Sequence, residues 1–145
     1  MRNIVLIGMP ASGKSTIGKM LADEIEYKYF DADHHLEKQE NRKISDIFAE
    51  DGEDYFRELE TKYLEELSKK SGIVIFLNRK IEDIAKENHK NRPLLQDINN
   101  LQKLYCERID LYNKYADIVV ENDDTLENVV KKIIKELKNK NFFRK

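Results

Sequence analysis

Apolar residues along the chain fall into two patterns that alternate. Short, largely apolar runs are typical of strands that are buried on both faces of a sheet. Such runs occur at Asn3–Ile7, Tyr27–Phe30, Ile73–Leu77 and Ile118–Val120. Between them, apolar residues recur at three- and four-residue spacing, which indicates helices. Strands that alternate with helices predict a parallel sheet with helices packed on both faces.

The helical pattern is strongest in the middle and in the last third of the chain. The predicted helices are Lys14–Ile25, Leu36–Gln39, Ile44–Glu50, Glu53–Lys70, Lys80–Glu87, Asp97–Tyr115 and Thr125–Leu137. The polar stretch Asn88–Gln96 predicts a loop. The last residues, Lys138–Lys145, are basic and contain two phenylalanines. We expect this tail to be frayed or lightly packed.

Composition limits the classes of protein to which the chain can belong. Its 145 residues are a one-domain length, so we expect a single domain over 1–145. The formal net charge of −2 provides no overall basic field for nucleic acid, and no apolar run reaches the length of a membrane span. Cys106 is the only cysteine, which is compatible with a reducing compartment. We therefore expect a cytoplasmic protein that binds neither nucleic acid nor membrane.

The segment Gly8–Ser15 has the Gly-x4-Gly-Lys-Ser spacing of a phosphate-binding loop. Glycines let the backbone bend so that its N–H groups converge on phosphate oxygens, and the following helix adds its positive N-terminal end. Lys14 would supply a full charge to the phosphates, and Ser15 would offer a hydroxyl to Mg²⁺. The residues expected to bind the nucleotide here are Gly8, Pro10, Ala11, Ser12, Gly13, Lys14, Ser15 and Thr16.

Two carboxylates, Asp31 and Asp33, come directly after the second predicted strand. Ligands of open α/β sheets bind at this end of the strands, so one carboxylate could serve Mg²⁺ and the other an acceptor hydroxyl. A polar strand end, with Asp33 or His34 capping the next helix, fits the spacing equally well. His34 and His35 are neighbours on a helix and point about 100° apart. They therefore favour a solvated first turn over a shared transition metal.

Three arginines are candidates for binding an anionic substrate. Arg108 lies on an apolar helix face, so its guanidinium is either paired inside the protein or lines a pocket. Arg57 follows Phe56 near several glutamates, and a local salt bridge explains it at least as well. Arg92 precedes a proline in the predicted loop, where a mobile segment could close over phosphates. An ordinary surface loop is the alternative for Arg92.

Taken in order, these motifs resemble the shikimate kinase family. The matching stretches are Asn3–Lys19, Phe30–Glu37, Ile47–Glu60, Arg92–Leu95, Glu107-Arg108 with Leu111-Tyr112, and Ala116–Val120. Many kinases share the phosphate loop, whereas the combination of Asp-x-Asp, Phe-Arg-x-x-Glu and Arg-Pro-Leu-Leu is much more specific. The resemblance implies a P-loop NTPase-like three-layer α/β/α sandwich with a central parallel sheet. It also implies an acceptor-binding region at about 32–60 and a lid at about 86–97.

The resemblance implies an ATP- and Mg²⁺-dependent kinase, presumed monomeric, that phosphorylates the 3-hydroxyl of shikimate on the route to aromatic amino acids. Asp33 would hold the shikimate hydroxyls and orient or deprotonate the attacking one, and Arg57 and Arg108 would bind the carboxylate. Lys14 and the lid residue Arg92 would meet the transferring phosphate. Ser15 and Asp31 would serve Mg²⁺ directly or through water, and Asn122–Asp124 would lie by the adenine.

One segment of the family pattern has no counterpart in the chain. The family has a strand that ends in a glycine triplet, followed by a helix, but Ser71-Gly72 leads directly into the apolar run Ile73–Leu77. About one strand–helix unit, roughly 25–30 residues, is missing. We expect its absence to open a gap in the sheet beside Asn3–Ile7. An omitted stretch, an engineered deletion and a natural relative that phosphorylates poorly are all compatible with this pattern.

Two other functions compete with this interpretation. The chain could be another small-metabolite P-loop kinase, of the gluconate or nucleoside-monophosphate type. Arg57 and Arg108 argue against it, because a carboxylate-bearing acceptor calls for both. Alternatively, it could bind nucleotide without kinase activity, which the missing glycine segment favours.

Overall fold

The computed structural model describes residues 3–9, 11–70, 72–86 and 98–143. Within these ranges the strands are β1 (Ile4–Ile7), β2 (Tyr29–Asp31), β3 (Ile73–Asn78) and β4 (Ile118–Glu121). The helices are α1 (Lys14–Ile25), α2 (Ala32–Glu40), α3 (Ile44–Lys70), α4 (Ile81–Lys86), α5 (Ile98–Tyr115) and α6 (Leu126–Asn139). None of the helices in the described part of the chain is both long and apolar enough to span a bilayer.

The strands form one parallel sheet in the order β2-β1-β3-β4. Alternate side chains of its central strands point to opposite faces. Ile4 and Leu6 of β1 pack with buried residues of α1 and α6, whereas Val5 and Ile7 pack with residues of α3, α4 and α5. The sheet is therefore covered on both sides, and the predicted α/β class with a central parallel sheet is confirmed.

The expected gap beside β1 does not exist. Val5 of β1 pairs with Phe30 of β2 on one side and with Val74 of β3 on the other. A gap would leave the backbone N–H and C=O groups of β1 without partners in the protein interior, which is costly. The structure avoids this cost because β2 lies directly beside β1, in the position that the resemblance assigns to the missing strand.

The acceptor-side helices differ from their predicted bounds at the start of α2. The helix begins at Ala32 rather than Leu36, because the Asp31 carboxylate accepts hydrogen bonds from the N–H groups of Asp33 and His34. Asp31 is thus the capping residue, whereas the sequence pointed to Asp33 or His34. The predicted interruption of α3 lies at Gly52, whose φ of 86° and ψ of 173° are not helical.

The C-terminal tail was expected to be frayed or lightly packed, and this expectation is wrong for Phe142. Phe142 is only 2% exposed and belongs to the core cluster formed by the sheet with α1 and α6. Its ring centroid lies 5.0 Å from that of Tyr27. The turn after α6 therefore closes the edge of this core, and apolar burial outweighs the basic character of the segment.

Candidate active site

The phosphate loop connects β1 to α1, and both of its glycines are required by close contacts. A Cβ atom at Gly8 would lie 2.5 Å from the backbone oxygen of Leu77, and one at Gly13 would lie 2.7 Å from Nδ2 of Asn122. Gly13 also has a φ of 99°, in the left-handed region that side chains disfavour. The loop therefore packs against the ends of β3 and β4 as tightly as its backbone allows.

Lys14 is buried within this loop rather than extended into solvent. It is 5% exposed, and its Nζ donates hydrogen bonds of 2.9 Å to the backbone oxygens of Gly8 and Met9. The hydroxyl of Tyr112, on α5, donates a further bond of 3.1 Å to Gly8 O. The first carbonyls of the loop therefore have hydrogen-bond donors within the protein.

A cleft of about 680 Å³ lies beside the loop, at the carboxyl ends of the strands. Its described lining consists of Ala11, Gly13, Lys14, Ser15, Thr16, Asp31, Asp33, His34, Glu37, Arg79, Asp83, Asn122, Asp123, Asp124 and Leu126. Most of the predicted nucleotide-binding residues in the described ranges line this cleft. Its volume falls within the range of about 300–1,000 Å³ that is typical of small-molecule sites.

Ser15 and Asp31 lie side by side in the cleft, as the magnesium prediction requires. The Ser15 hydroxyl lies 3.4 Å from Oδ2 of Asp31, whose Oδ1 accepts the Asp33 N–H at 3.0 Å. Hydroxyl and carboxylate oxygens are ligands that Mg²⁺ accepts, usually together with water and substrate phosphates. The residues present therefore fit the ion. The described part of the chain has no cluster of three or more His, Cys, Asp or Glu side chains that could hold a metal without such help.

The two histidines after Asp33 face different surroundings. His34 lines the cleft, whereas the ring of His35 makes an edge contact with Tyr63, with centroids 5.8 Å apart. The side chains therefore diverge, as neighbours on a helix should.

Asp33 links the phosphate loop to Arg108. One carboxylate oxygen of Asp33 lies 3.2 Å from Lys14 Nζ, and the other lies 3.4 Å from Nη2 of Arg108. Arg108 is 4% exposed and also makes a two-pronged ion pair with Glu60, in which Nε donates to Oε1 at 3.1 Å and Nη2 donates to Oε2. The sequence left two interpretations of Arg108, and the structure agrees with the first, in which the guanidinium is paired inside the protein.

Burial and charge act in opposite directions on the pair formed by Glu60 and Arg108. Burial raises the pKa of the Glu60 carboxyl above its usual value, while the adjacent Arg108 opposes this shift. Burial also lowers the pKa of Arg108, but the carboxylate of Glu60 and further interactions with Tyr112 and Asp33 more than offset it and raise the pKa above normal. The guanidinium therefore stays charged, and the faces of Phe56 and Tyr112 lie 5.4 Å and 5.0 Å from it.

The space around this pair is almost completely filled. The cavity bordered by Gly8, Asp33, Glu60, Tyr63 and Tyr112 measures only about 10 Å³. A single water needs at least about 10–15 Å³, measured in the same way. Among the described residues, this cavity is therefore too small for an organic acid, which could reach the Glu60–Arg108 pair through it only if neighbouring side chains move.

The structure does not bring Arg57 into the same cluster. Its side chain is 44% exposed and pairs with Glu107 of α5, with Nη2 at 2.6 Å from Oε1. Arg57 lines neither the cleft beside the phosphate loop nor the small cavity beside Glu60. Pro10 and the predicted lid residue Arg92 lie outside the described residues.

Sequence reasoning did not give roles to several residues that the structure places in the site. Glu60 is the last residue of the Phe-Arg-x-x-Glu motif, and this position was the sequence signal that could have indicated a role for it. Tyr112 follows Arg108 by four residues, so helical spacing places both on one face. Arg79 approaches the phosphate loop from the end of β3, and no local pattern indicates this contact. Asn122, for which the resemblance implied only a place by the adenine, also contacts the loop, at Ser12 O.

The parallel sheet, the phosphate loop after its first strand and the carboxylates at the strand ends define a P-loop phosphotransferase of small-metabolite type. The family model described as "Shikimate kinase" matches residues 10–75 and 66–138. A shikimate kinase of Clostridium botulinum strain Alaska E43 is 35% identical over 157 residues, covering 91% of this chain and 94% of its own. One from Sulfurihydrogenibium sp. is 35% identical over 165 residues, covering 95% and 99%. The chain belongs to the shikimate kinase family.

Solved structures of this family resemble the whole chain. Shikimate kinase from Aquifex aeolicus superposes with a TM-score of 0.68 at 32% identity, covering 95% of this chain and 97% of its own. The enzyme from Acinetobacter baumannii, solved in complex with shikimate, gives a TM-score of 0.74 at 27% identity, covering 97% and 94%. These similarities decide between the two kinase alternatives in favour of the shikimate kinase family.

The family model matches the chain in two stretches that overlap where the glycine segment is missing. The overlap covers residues 66–75, at the end of α3 and the start of β3. This is the place at which the sequence lacks a strand–helix unit. The division of the match at this place therefore supports the local loss of one unit.

Proposed function

We propose that this chain transfers the γ-phosphoryl group of ATP to the 3-hydroxyl of shikimate, with Mg²⁺. The observation that carries this proposal is the position of Asp33, whose carboxylate lies between Lys14 of the phosphate loop and Arg108. This arrangement offers a phosphate-binding cation, a group that can orient a hydroxyl and a carboxylate-binding guanidinium in one row. Phosphoryl transfer depends on such positioning together with charge neutralisation.

Each residue then has a distinct chemical task. Asp33 accepts a hydrogen bond from the attacking hydroxyl, orients it and takes its proton. Lys14 neutralises charge on the transferred phosphoryl group, and Arg108 binds the carboxylate of the acceptor. Arg57 would assist Arg108, and Arg92 would close over the phosphates from the lid. Mg²⁺, held by Ser15 and Asp31, would neutralise the charge that the phosphates bring into the cleft.

Binding of the acceptor in this proposal requires the closed side of the site to open. Hydrogen bonds from Arg108 to described residues use Nε and Nη2, so its Nη1 makes none among them. An acceptor carboxylate can pair with Nη1 once the surrounding side chains have moved apart. Glu60 then keeps the guanidinium of Arg108 oriented while the acceptor binds, because its two carboxylate oxygens remain paired with Nε and Nη2.

A nucleotide-binding protein without kinase activity is the second candidate function. The cavity of about 10 Å³ beside Glu60 supports it, because no acceptor fits there without rearrangement. The missing glycine strand also supports it, since the family uses that strand to contact the acceptor. The two functions share the nucleotide cleft and differ only in whether the acceptor side opens.

The deciding experiment is phosphoryl transfer from Mg·ATP to shikimate, measured by coupled ADP production and by the mass of the product. We expect turnover in the unaltered chain and a loss of at least about 100-fold in kcat for Asp33→Asn, which keeps the shape but removes the base. Asp23→Asn, at an exposed position of α1, is the matched control and should leave kcat unchanged. Nucleotide binding without phosphorylated product would favour the second candidate.

We also propose a cytoplasmic monomer. The lone Cys106, which is free and exposed, supports a reducing compartment. All groups assigned to the reaction come from one chain, so the proposed chemistry does not need a second copy.

A further inference from the structure

Side-chain donors hold the phosphate loop in place through hydrogen bonds to its backbone carbonyls. A loop that directs its N–H groups at phosphate must turn its carbonyls away, and buried carbonyls need donors. The carbonyls of Gly8 and Met9 accept hydrogen bonds from Lys14, and that of Gly8 accepts a second one from Tyr112. Two further carbonyls, of Ala11 and Ser12, receive theirs from the distant residues Arg79 and Asn122.

Arg79 is the first residue after β3, and the register of the sheet brings it beside the loop. β3 pairs with β1 up to Phe76 opposite Ile7, so the residues that follow each strand lie at the same edge. From there Nη1 of Arg79 donates a hydrogen bond of 2.9 Å to the backbone oxygen of Ala11. Asn122, after β4, makes the equivalent contact to Ser12 O at 2.8 Å.

The backbone at Ala11 needs such support. Its φ is 63°, a left-handed conformation that residues with a side chain disfavour. Strained conformations persist at binding sites only where surrounding contacts enforce them. A charged donor is well suited to this, because hydrogen bonds from charged groups are stronger than neutral ones.

Arg79 also changes the charge of the nucleotide cleft. Among the described residues that line it, six are carboxylates: Asp31, Asp33, Glu37, Asp83, Asp123 and Asp124. The full positive charges in this lining are Lys14 and Arg79, and Lys14 already faces Asp33. A polyphosphate that enters so acidic a cleft depends strongly on each fixed cation.

We propose that Arg79 is a positioning residue for nucleotide binding: it holds the Ala11 carbonyl outward, so that the phosphate loop is preformed, and it adds a fixed positive charge to the polyphosphate side of the cleft. This inference rests on the proposed nucleotide-binding function of the loop and deepens it. It predicts that Arg79 affects the binding of ligands that carry a polyphosphate and does not affect the binding of the nucleoside alone.

The test is titration calorimetry of the full chain with Mg·ATP and with ADP, together with adenosine as a competitor that lacks phosphate. Arg79→Met should weaken ATP and ADP binding about tenfold and leave adenosine unchanged, as expected for the loss of one charge-assisted contact. Arg79→Lys, which can still donate to the carbonyl, should recover most of the loss. Lys80→Met removes the same charge from the exposed neighbouring position and should bind ATP like the unaltered chain.

The outcomes separate this inference from the function on which it rests. Equal ATP affinity in the Arg79→Met and Lys80→Met variants would overturn the role of Arg79 while nucleotide binding stands. A parallel loss of adenosine affinity would also overturn it, because a general structural defect affects all ligands. If the unaltered chain does not bind ATP, and Lys14→Ala therefore changes nothing, the nucleotide-binding function itself is wrong.

Discussion

At the scale of single residues, the acceptor side depends on a buried pair of opposite charges. Glu60 and Arg108 are each about 95% or more shielded from solvent, and the guanidinium donates to both carboxylate oxygens. Two charges taken out of water are tolerated when each satisfies the other, but either one alone is expensive to bury. We therefore expect each residue of the pair to be needed for stability.

Replacement of Glu60 by Gln should test this dependence. We expect the free energy of unfolding to fall by about 3 kcal/mol, because Arg108 would keep its buried charge while losing the paired negative charge. Urea denaturation gives the value. Glu58→Gln, at an exposed position of the same helix, should change stability by less than about 0.5 kcal/mol. Equal stability of the two variants would show that the ion pair is dispensable.

Tyr63 should make the stability of the protein depend on alkaline pH. Its hydroxyl donates a hydrogen bond of 2.5 Å to Oε2 of Glu40, and this bond, with burial, raises the pKa of Tyr63 to about 12. Because the folded pKa lies above the ordinary value of about 10, the contribution is complete below pH ~10 and is lost as pH rises towards 12. Tyr63→Phe should therefore flatten the decline in stability over that interval.

Titration of tyrosinate absorbance provides the check on Tyr63. The Tyr63→Phe variant should lack a tyrosine that ionises near pH 12, and Glu40→Gln should shift the same step to lower pH by removing the facing carboxylate. An absorbance curve that is the same in all three proteins would contradict the assignment.

At the scale of elements, α6 and the turn that follows it form one packing unit. Thr125 caps the helix, its hydroxyl accepting the N–H of Asn128 at 3.2 Å. The buried face of the helix covers the sheet with Val129, Val130, Ile133 and Leu137. The N–H of Phe142 then donates to the Leu137 carbonyl at 3.0 Å, which turns the phenyl ring back into the core.

Truncation of this ring should be costly for stability. Phe142→Ala is expected to lower the free energy of unfolding by about 3 kcal/mol, because a buried ring is replaced by a cavity. The adjacent Phe143 is only partly buried, so Phe143→Ala should cost clearly less. Thermal or urea unfolding of both variants measures the difference. Similar, small losses would mean that the tail does not belong to the core.

At the scale of the whole molecule, the direct pairing of β1 with β2 gives a continuous four-stranded sheet despite the missing unit. Among the described residues, the cleft beside the phosphate loop measures about 680 Å³, whereas the cavity beside Glu60 and Tyr112 measures about 10 Å³. The side proposed to bind the nucleotide therefore has room for a ligand in this conformation, whereas the small cavity on the proposed acceptor side does not. If the site is open in only a fraction of the molecules, the apparent affinity for the ligand is reduced by that fraction.

Ligand-dependent melting should reveal this inequality. We expect Mg·ADP to raise Tm clearly, and shikimate alone to raise it by less than about 1 °C, because the cost of opening offsets the binding free energy. The relative from Acinetobacter baumannii, solved with shikimate, is a suitable positive control under the same conditions. A large shift with shikimate alone would mean that the acceptor side is readily accessible.

Prediction from sequence succeeded where neighbours in the chain determine the outcome. The phosphate loop is a contiguous segment whose glycines, lysine and serine reveal its chemistry, and the apolar runs place each strand within about two residues of its observed bounds. Asp31 and Ser15, which the resemblance assigned to the same Mg²⁺ ion, also lie side by side, because Asp31 ends β2 and Ser15 lies in the first turn of α1. For Arg108 the sequence left two interpretations open, because helical periodicity indicates that a side chain is buried but does not identify its partner.

The order of apolar and polar residues therefore determined the elements of this protein and its phosphate loop, because those depend on spacing of a few residues. Only the tertiary structure decided that β2 lies beside β1, that Glu60 closes on Arg108 from 48 residues away, and that Arg79 holds the Ala11 carbonyl. These contacts arise when the folded chain must satisfy buried charges and backbone groups at once. That requirement acts in three dimensions and leaves little trace in local sequence.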